Sequence, residues 1–123
     1  MFELMVETSF AAAHQLRGYG GKCERMHGHN WKVHVHVVAE RLNDIDLVID
    51  FHELKKLVGE ATVSLDHSFL NELFPFTEKN PSSENVAKWI FDTVKRKMPW
   101  DHVRLSAVTV WESETSSATY YED

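Results

Sequence analysis

Hydrophobic and polar positions alternate along two stretches in the first third of this 123-residue chain. Residues 2 to 13 alternate weakly, with Phe2, Leu4 and Val6 set against Glu3 and Glu7. Residues 31 to 40 alternate strongly, placing Trp31, Val33, Val35 and Val37 on one face and Lys32, His34 and His36 on the other. A period of two is the mark of a half-buried strand, and the two stretches are expected to pair as an antiparallel ribbon. Their connection, Gln15 to Asn30, is too long for a tight hairpin and holds Gly18, Gly20, Gly21, Cys23 and Gly28, which marks it as a candidate functional loop.

The period then lengthens. Asp50 with Glu53 three residues later has the form of a capping box, and Leu54, Leu57, Val58, Ala61 and Leu65 follow at core spacing, predicting a helix that ends at Leu65. A turn segment with Asp66, His67, Pro75 and Pro81 leads to a second helix, capped by Ser82 or Ser83, carrying Val86, Trp89, Ile90 and Val94, and stopped before Pro99. Residues 102 to 112 read as a strand with Val103, Leu105, Ala107, Thr109 and Trp111 on one face and Arg104, Ser106, Val108, Val110 and Glu112 on the other. A turn at 113 to 117 then gives a short strand ending in Tyr120 and Tyr121. The second face is too apolar at Val108 and Val110 to lie open to water. Either helices cover one face and another subunit the other, or the sheet closes into a multi-chain barrel. The expectation is one α+β domain over residues 1–123, with four antiparallel strands and two helices inserted between the strand pairs.

Composition narrows the partners. Thirteen Lys and Arg against nineteen Asp and Glu give a net charge of −6, without the basic stripe that nucleic acid or an anionic membrane requires. No apolar run is long enough to span a bilayer and the N-terminus has no basic leader, so a cytoplasmic location is expected. One cysteine cannot form an intrachain disulfide, which agrees with a reducing compartment. A chain of this size has difficulty enclosing a large pocket alone, which favours sites shared between subunits. Eight histidines against one cysteine make imidazole the expected metal-ligand type.

The stretch CERMHGHNW at 23 to 31 concentrates the candidate chemistry. Alternate side chains of an extended segment share a face, so His27 and His29 can aim at one point. Pairing of the first two strands would bring His14 near His29 and add a third imidazole, leaving the open fourth position of a catalytic zinc. His34 and His36 have the same spacing and compete as the metal pair; the alternative for them is a polar sheet face. Cys23 is either a small buried hydrophobe or a thiol whose pKa is lowered by a nearby metal, Lys22 and Arg25. Asp66 and His67 form an acid–imidazole pair in a loop, although adjacent residues often point apart. Glu112 ends an apolar run, VTVWES, and periodicity favours the reading that the strand simply reaches solvent there.

Taken together, FAAAH at 10–14, CERMHGHN at 23–30, VIDFHELK at 48–55, LDH at 65–67, PSSEN at 81–85 and VWES at 110–113 resemble the 6-pyruvoyltetrahydropterin and 6-carboxytetrahydropterin synthase superfamily, in order and over nearly the whole chain. The three residues between Cys23 and His27 resemble the carboxytetrahydropterin synthases of the queuosine pathway rather than the pyruvoyl enzymes. The resemblance implies the T-fold, in which three subunits build a twelve-stranded barrel and two trimers stack into a hexamer with active sites between subunits. It further implies zinc on His14, His27 and His29, Cys23 as the proton-abstracting thiolate, Asp66 and His67 as a charge-relay pair and Glu112 as the pterin anchor. The implied substrate is 7,8-dihydroneopterin triphosphate. Glu84 of PSSEN, Lys22 and Arg25 are further candidates for substrate contacts. Glu24, directly after Cys23, resembles relatives that cleave the same substrate to a hydroxymethylpterin for folate synthesis. A pyruvoyl synthase and a zinc- or pterin-binding module without turnover stand as the other readings.

Overall fold

The computed structural model describes residues 1–18, 20, 21 and 25–122. Strands β1 (Phe2–His14) and β2 (His27–Ala39) form the antiparallel ribbon read from the sequence, in register from Phe2 opposite Ala39 to His14 opposite His27. Helices α1 (Phe51–Thr62) and α2 (Ser83–Lys97) follow, with a two-residue strand β3 (Ser68–Phe69) between them, and β4 (Arg104–Trp111) and β5 (Ser117–Tyr121) complete a sheet ordered β3-β1-β2-β4-β5. The α+β architecture with two helices between strand pairs is as expected. The sheet has five strands rather than four, because β3 adds a parallel bridge to Ala12 and Ala13. Two residues are too few to carry a period.

Even-numbered residues of β1 and odd-numbered residues of β2 point to the helices. Val6, Phe10, Trp31, Val33, Val35 and Val37 are buried there against Leu54, Val58, Ile90 and Val94. Each such aliphatic side chain contributes on the order of 1.5–3 kcal/mol relative to exposure. The indole of Trp31 stacks on Phe10, and its Nε1 donates to the Ala12 carbonyl (3.2 Å), so its polar atom is satisfied in the core.

The last long strand departs from its sequence reading. The register passes from Val37–Leu105 to His36–Ala107, so Ser106 is an extra residue whose hydroxyl donates to the His36 carbonyl (3.1 Å). Such a bulge shifts the parity of all that follows. Leu105, Val108 and Val110 therefore all face the helices and are buried, while Ala107, Thr109 and Trp111 lie on the opposite face. The apolar second face expected from unbroken alternation is in fact the helix-covered face continued, so it supplies no argument for a covering subunit. The helix-free face instead pairs His34 with Glu7 (2.8 Å) and His36 with Glu3 (3.2 Å).

Both helices start where expected. Asp50 caps α1 by accepting from His52 N–H (2.8 Å), and Glu53 stays exposed in the first turn, where it complements the helix dipole. The α-helix stops at Thr62, and residues 63–65 continue as a 3₁₀ turn that still buries Leu65. Ser82 rather than Ser83 caps α2, accepting from Asn85 N–H (3.2 Å). That choice leaves the Ser83 hydroxyl free for another partner.

Candidate metal centre and its surroundings

The strand register builds the site. His14 ends β1, His27 opens β2 directly opposite it, and His29 is the next residue of β2 on the same face. Glu112 follows Val110 by two, just past the end of β4, and so also points to the helix side. Four chemistry-bearing side chains thus meet at one end of the sheet, above the aromatic floor of Trp31, whose ring meets those of His14 and His29 edge-on. One ligand atom from each of the four lies within 4.8 Å of the others.

Hydrogen bonds fix how the rings present themselves. His14 is fully buried, and its Nδ1 lies 2.7 Å from the Pro81 carbonyl; His27 Nδ1 lies 2.7 Å from the Arg25 carbonyl. A carbonyl only accepts, so in both rings Nδ1 carries a hydrogen and Nε2 is the nitrogen turned toward Glu112. Oε1 of Glu112, also an acceptor, lies 3.0 Å from His14 Nε2, 3.8 Å from His27 Nε2 and 2.9 Å from His29 Nε2. The His14 contact is a hydrogen bond that a proton on the ring satisfies, and a metal ion shared by the four groups would take that proton's place. His29 Nε2, although close to Oε1, is a buried nitrogen without an aligned hydrogen bond. Desolvation is the main influence on this ring and holds its pKa below the ordinary value of 6.5, against the attraction of Glu112; the neighbouring His14 and His27 push the same way as burial. A neutral ring with an unpartnered nitrogen is a ready metal ligand, and the group could hold a metal ion.

Asp66 and His67 do face each other. His67 Nδ1 is 3.0 Å from Asp66 Oδ2, while Asp66 Oδ1 accepts from Ala11 N–H (2.9 Å). That backbone bond first, and the His67 contact after it, hold the Asp66 carboxyl below its ordinary pKa of 3.8. His67 adopts φ 55°, a left-handed conformation that costs a non-glycine residue about 1–2 kcal/mol and is held here by its N–H on the Ala11 carbonyl (2.6 Å). Its ring is 83 % exposed and shares with His29 an open depression floored by Ala11, Ala12, Ala13 and Gly28. The pair lies outside the group of His14, His27, His29 and Glu112.

The other sequence candidates divide. His34 and His36 sit on the helix-free face, away from the quartet, each with its own glutamate. Glu84 is exposed in the first turn of α2, and Arg25 contributes its carbonyl to His27 while its side chain is exposed. Lys22, Cys23 and Glu24 lie outside the described residues.

Sequence reasoning missed the residues that hold this site in place. Asn80 uses its amide as a strand would, accepting from Arg17 N–H (2.9 Å) and donating to Arg17 O (2.8 Å), and Asn71 does the same to Gln15 (2.9 and 2.8 Å). Arg17 in turn donates to the carbonyls of Phe76, Thr77 and Lys79. The first residues after His14 are thereby tied to the segment that carries the Pro81 carbonyl. Ser83 Oγ donates to Glu112 Oε2 (3.2 Å). None of these roles has a local sequence signal, since each joins residues more than twenty-five positions apart.

The chain is similar to known proteins over nearly its whole length. The family described as 6-pyruvoyl tetrahydropterin synthase matches over residues 3–123. A Synechocystis protein named 6-carboxy-5,6,7,8-tetrahydropterin synthase is 36% identical, over 98% of this chain and 94% of its own length. A Pyrococcus furiosus protein named dihydroneopterin monophosphate aldolase is 34% identical over 89% of this chain and 88% of its own. The solved structure of Caenorhabditis elegans 6-pyruvoyl tetrahydropterin synthase superposes with a TM-score of 0.89 at 28% identity, covering 99% of this chain and 96% of that one. The fold is the T-fold.

Proposed function

The chain belongs to the 6-pyruvoyl tetrahydropterin synthase family, and from that premise we propose that it is a zinc-dependent lyase. With one water consumed, it converts 7,8-dihydroneopterin triphosphate to 6-carboxy-5,6,7,8-tetrahydropterin, acetaldehyde and triphosphate, a step of queuosine synthesis. The observation that carries this reading is the convergence of His14, His27 and His29 at one end of the sheet. The names of the Synechocystis relative and others like it support the choice of product.

Three imidazoles with a carboxylate beside them are a donor set that suits zinc. Bound there, zinc supplies Lewis acidity toward the side-chain oxygens of the substrate. The rest of the chemistry belongs to the chain. Cys23, four residues before His27, is the base that takes a proton from the substrate side chain, its thiolate favoured by the nearby positive charge. His67 moves the proton onward, and Asp66 stabilises the imidazolium that results. The carboxylate of Glu112 accepts the paired N–H groups of the pterin ring. Lys22, Arg25 and Glu84 contribute substrate contacts.

The whole chain, 1–123, acts as one domain within a cytoplasmic hexamer built as a dimer of trimers, with sites between subunits. The helix-free face supports assembly, with Met5 43% and Tyr121 64% exposed on it. No helix among the described residues is long and apolar enough to cross a membrane.

A second reading is favoured by the name of the Pyrococcus furiosus relative and by Glu24 beside Cys23: part of the turnover cleaves the side chain to 6-hydroxymethyl-7,8-dihydropterin. An ionised carboxylate within reach can act as a base without further activation. Mass spectrometry of the products separates these readings. The carboxy product should predominate and fall with Cys23→Ala, while any hydroxymethyl product should survive that change and vanish in Glu24→Ala. A pyruvoyl product as the main species would overturn the assignment, and an unchanged product ratio in Glu24→Ala would remove Glu24 from the reaction.

A further inference from the structure

Glu112 meets two demands that exclude each other. As pterin anchor it must accept from the amino and ring N–H groups at one end of the bicyclic ring, whereas the side chain that reaches the metal leaves from the other end. Yet its Oε1 lies 3.0, 3.8 and 2.9 Å from Nε2 of His14, His27 and His29. Ligand atoms around a tetrahedral zinc with bonds of about 2.0–2.1 Å are separated by about 3.3–3.4 Å, and the three distances bracket that value. The four ligand atoms spread over up to 4.8 Å, wider than a closed tetrahedral shell, and Oε1 is the fourth donor within reach of a metal on the three imidazoles, where a catalytic site keeps a position for water or substrate.

We propose that Glu112 is an exchangeable ligand: it closes the His14–His27–His29 site in the substrate-free protein and passes to the pterin ring when substrate oxygens take its corner. The inference rests on the pterin reading given above. Ser83 is the positioning residue. Its hydroxyl donates to Oε2 at 3.2 Å, which turns Oε1 toward the three imidazoles. Ser83 is free to do so because Ser82 takes the helix cap. The Glu112 side chain is 31% exposed, so it can swing away without crossing the core, leaving the Ser83 hydroxyl on Oε2 and the imidazoles on Oε1, which a metal then engages. Four fixed protein ligands would make a closed, structural metal site. One ligand that leaves on demand keeps the metal protected between turnovers and opens it only for a molecule carrying the pterin donor edge.

Exchange has a thermodynamic signature that needs no turnover. If one carboxylate serves metal and pterin in turn, each weakens the other by the same factor. The probes are zinc alone and 6-methylpterin, which has the ring but no side-chain oxygens, titrated separately and together onto the metal-free chain. Saturating zinc should weaken 6-methylpterin binding about fivefold or more. Glu112→Gln should bind zinc about tenfold or more weakly. Ser83→Ala should bind zinc several-fold more weakly and show less antagonism, with Ser83→Thr restoring both. Zinc affinity unchanged in Glu112→Gln would overturn the ligand role. Pterin binding that ignores zinc, or is strengthened by it, would overturn the exchange alone, whereas a chain that binds zinc but no pterin would defeat the functional reading on which it rests.

Discussion

Replacing Asn80 with alanine removes three hydrogen bonds to one residue: from Arg17 N–H (2.9 Å), from Arg17 Nε (3.2 Å) and to Arg17 O (2.8 Å). At a partly exposed position water replaces some of each, so the loss is taken at the low end, about 1–2 kcal/mol in total. For a chain of this length that lowers Tm by about 4–10 °C. The site should feel the change as well, because the next residue, Pro81, supplies the carbonyl that orients His14 through Nδ1 at 2.7 Å. Loosening a group that orients a ligating histidine typically costs 10–100-fold in metal affinity, and an indirect effect should fall near about tenfold. Thermal melts of the metal-free protein give the first quantity, and competition with a chromophoric zinc chelator gives the second. Asn80→Asp keeps the acceptor for Arg17 N–H and Nε but loses the donor to Arg17 O, so it should fall between parent and Asn80→Ala. A melt unchanged by Asn80→Ala, together with parental zinc affinity, would refute the claim that this clamp holds the site.

Three further outcomes are expected. His27→Ala should strip the metal while the double change of His34 and His36 to alanine leaves it bound, as atomic absorption of dialysed protein will show; the reverse result would move the site to the other face of the sheet. Cys23→Ala should keep zinc and lose about a hundredfold or more in turnover; zinc loss would make Cys23 a ligand, and a near-parental rate would deny it the base role. The depressed pKa of Asp66 adds stability above the ordinary value of 3.8 that is lost as pH falls through the folded value. Asp66→Asn should therefore trail the parent most at neutral pH and converge with it in acid, and a gap that widens on acidification would show that the assigned direction is wrong.

What the sequence made legible follows from what repeats locally. The ribbon, both helices and the Asp50 cap are written in periods of two and of about 3.6 and in capping residues, and all are present. Strand β2 begins at His27 rather than at Trp31, because Gly28 and Asn30 blur the alternation there; that earlier start is what places His27 and His29 on the face of Trp31. The parity error in β4 came from Ser106, since a bulge residue looks like any other small polar residue until its partner strand is seen. For the same reason Glu112 read as a strand reaching solvent, although its spacing from the buried Val108 and Val110 already placed it on their face. The positioning contacts of Arg17, Asn80 and Ser83 are tertiary, and no window of sequence contains them.

The proposed activity is metal-dependent chemistry on a pterin triphosphate at the three-histidine centre. Its most direct test is triphosphate release from 7,8-dihydroneopterin triphosphate by chelator-stripped protein, measured before and after stoichiometric zinc is restored. The stripped protein should release none, and release should return with about one zinc per chain, as one three-imidazole site requires. Release that proceeds equally without metal, or none from protein shown to hold zinc at His14, His27 and His29, would contradict it.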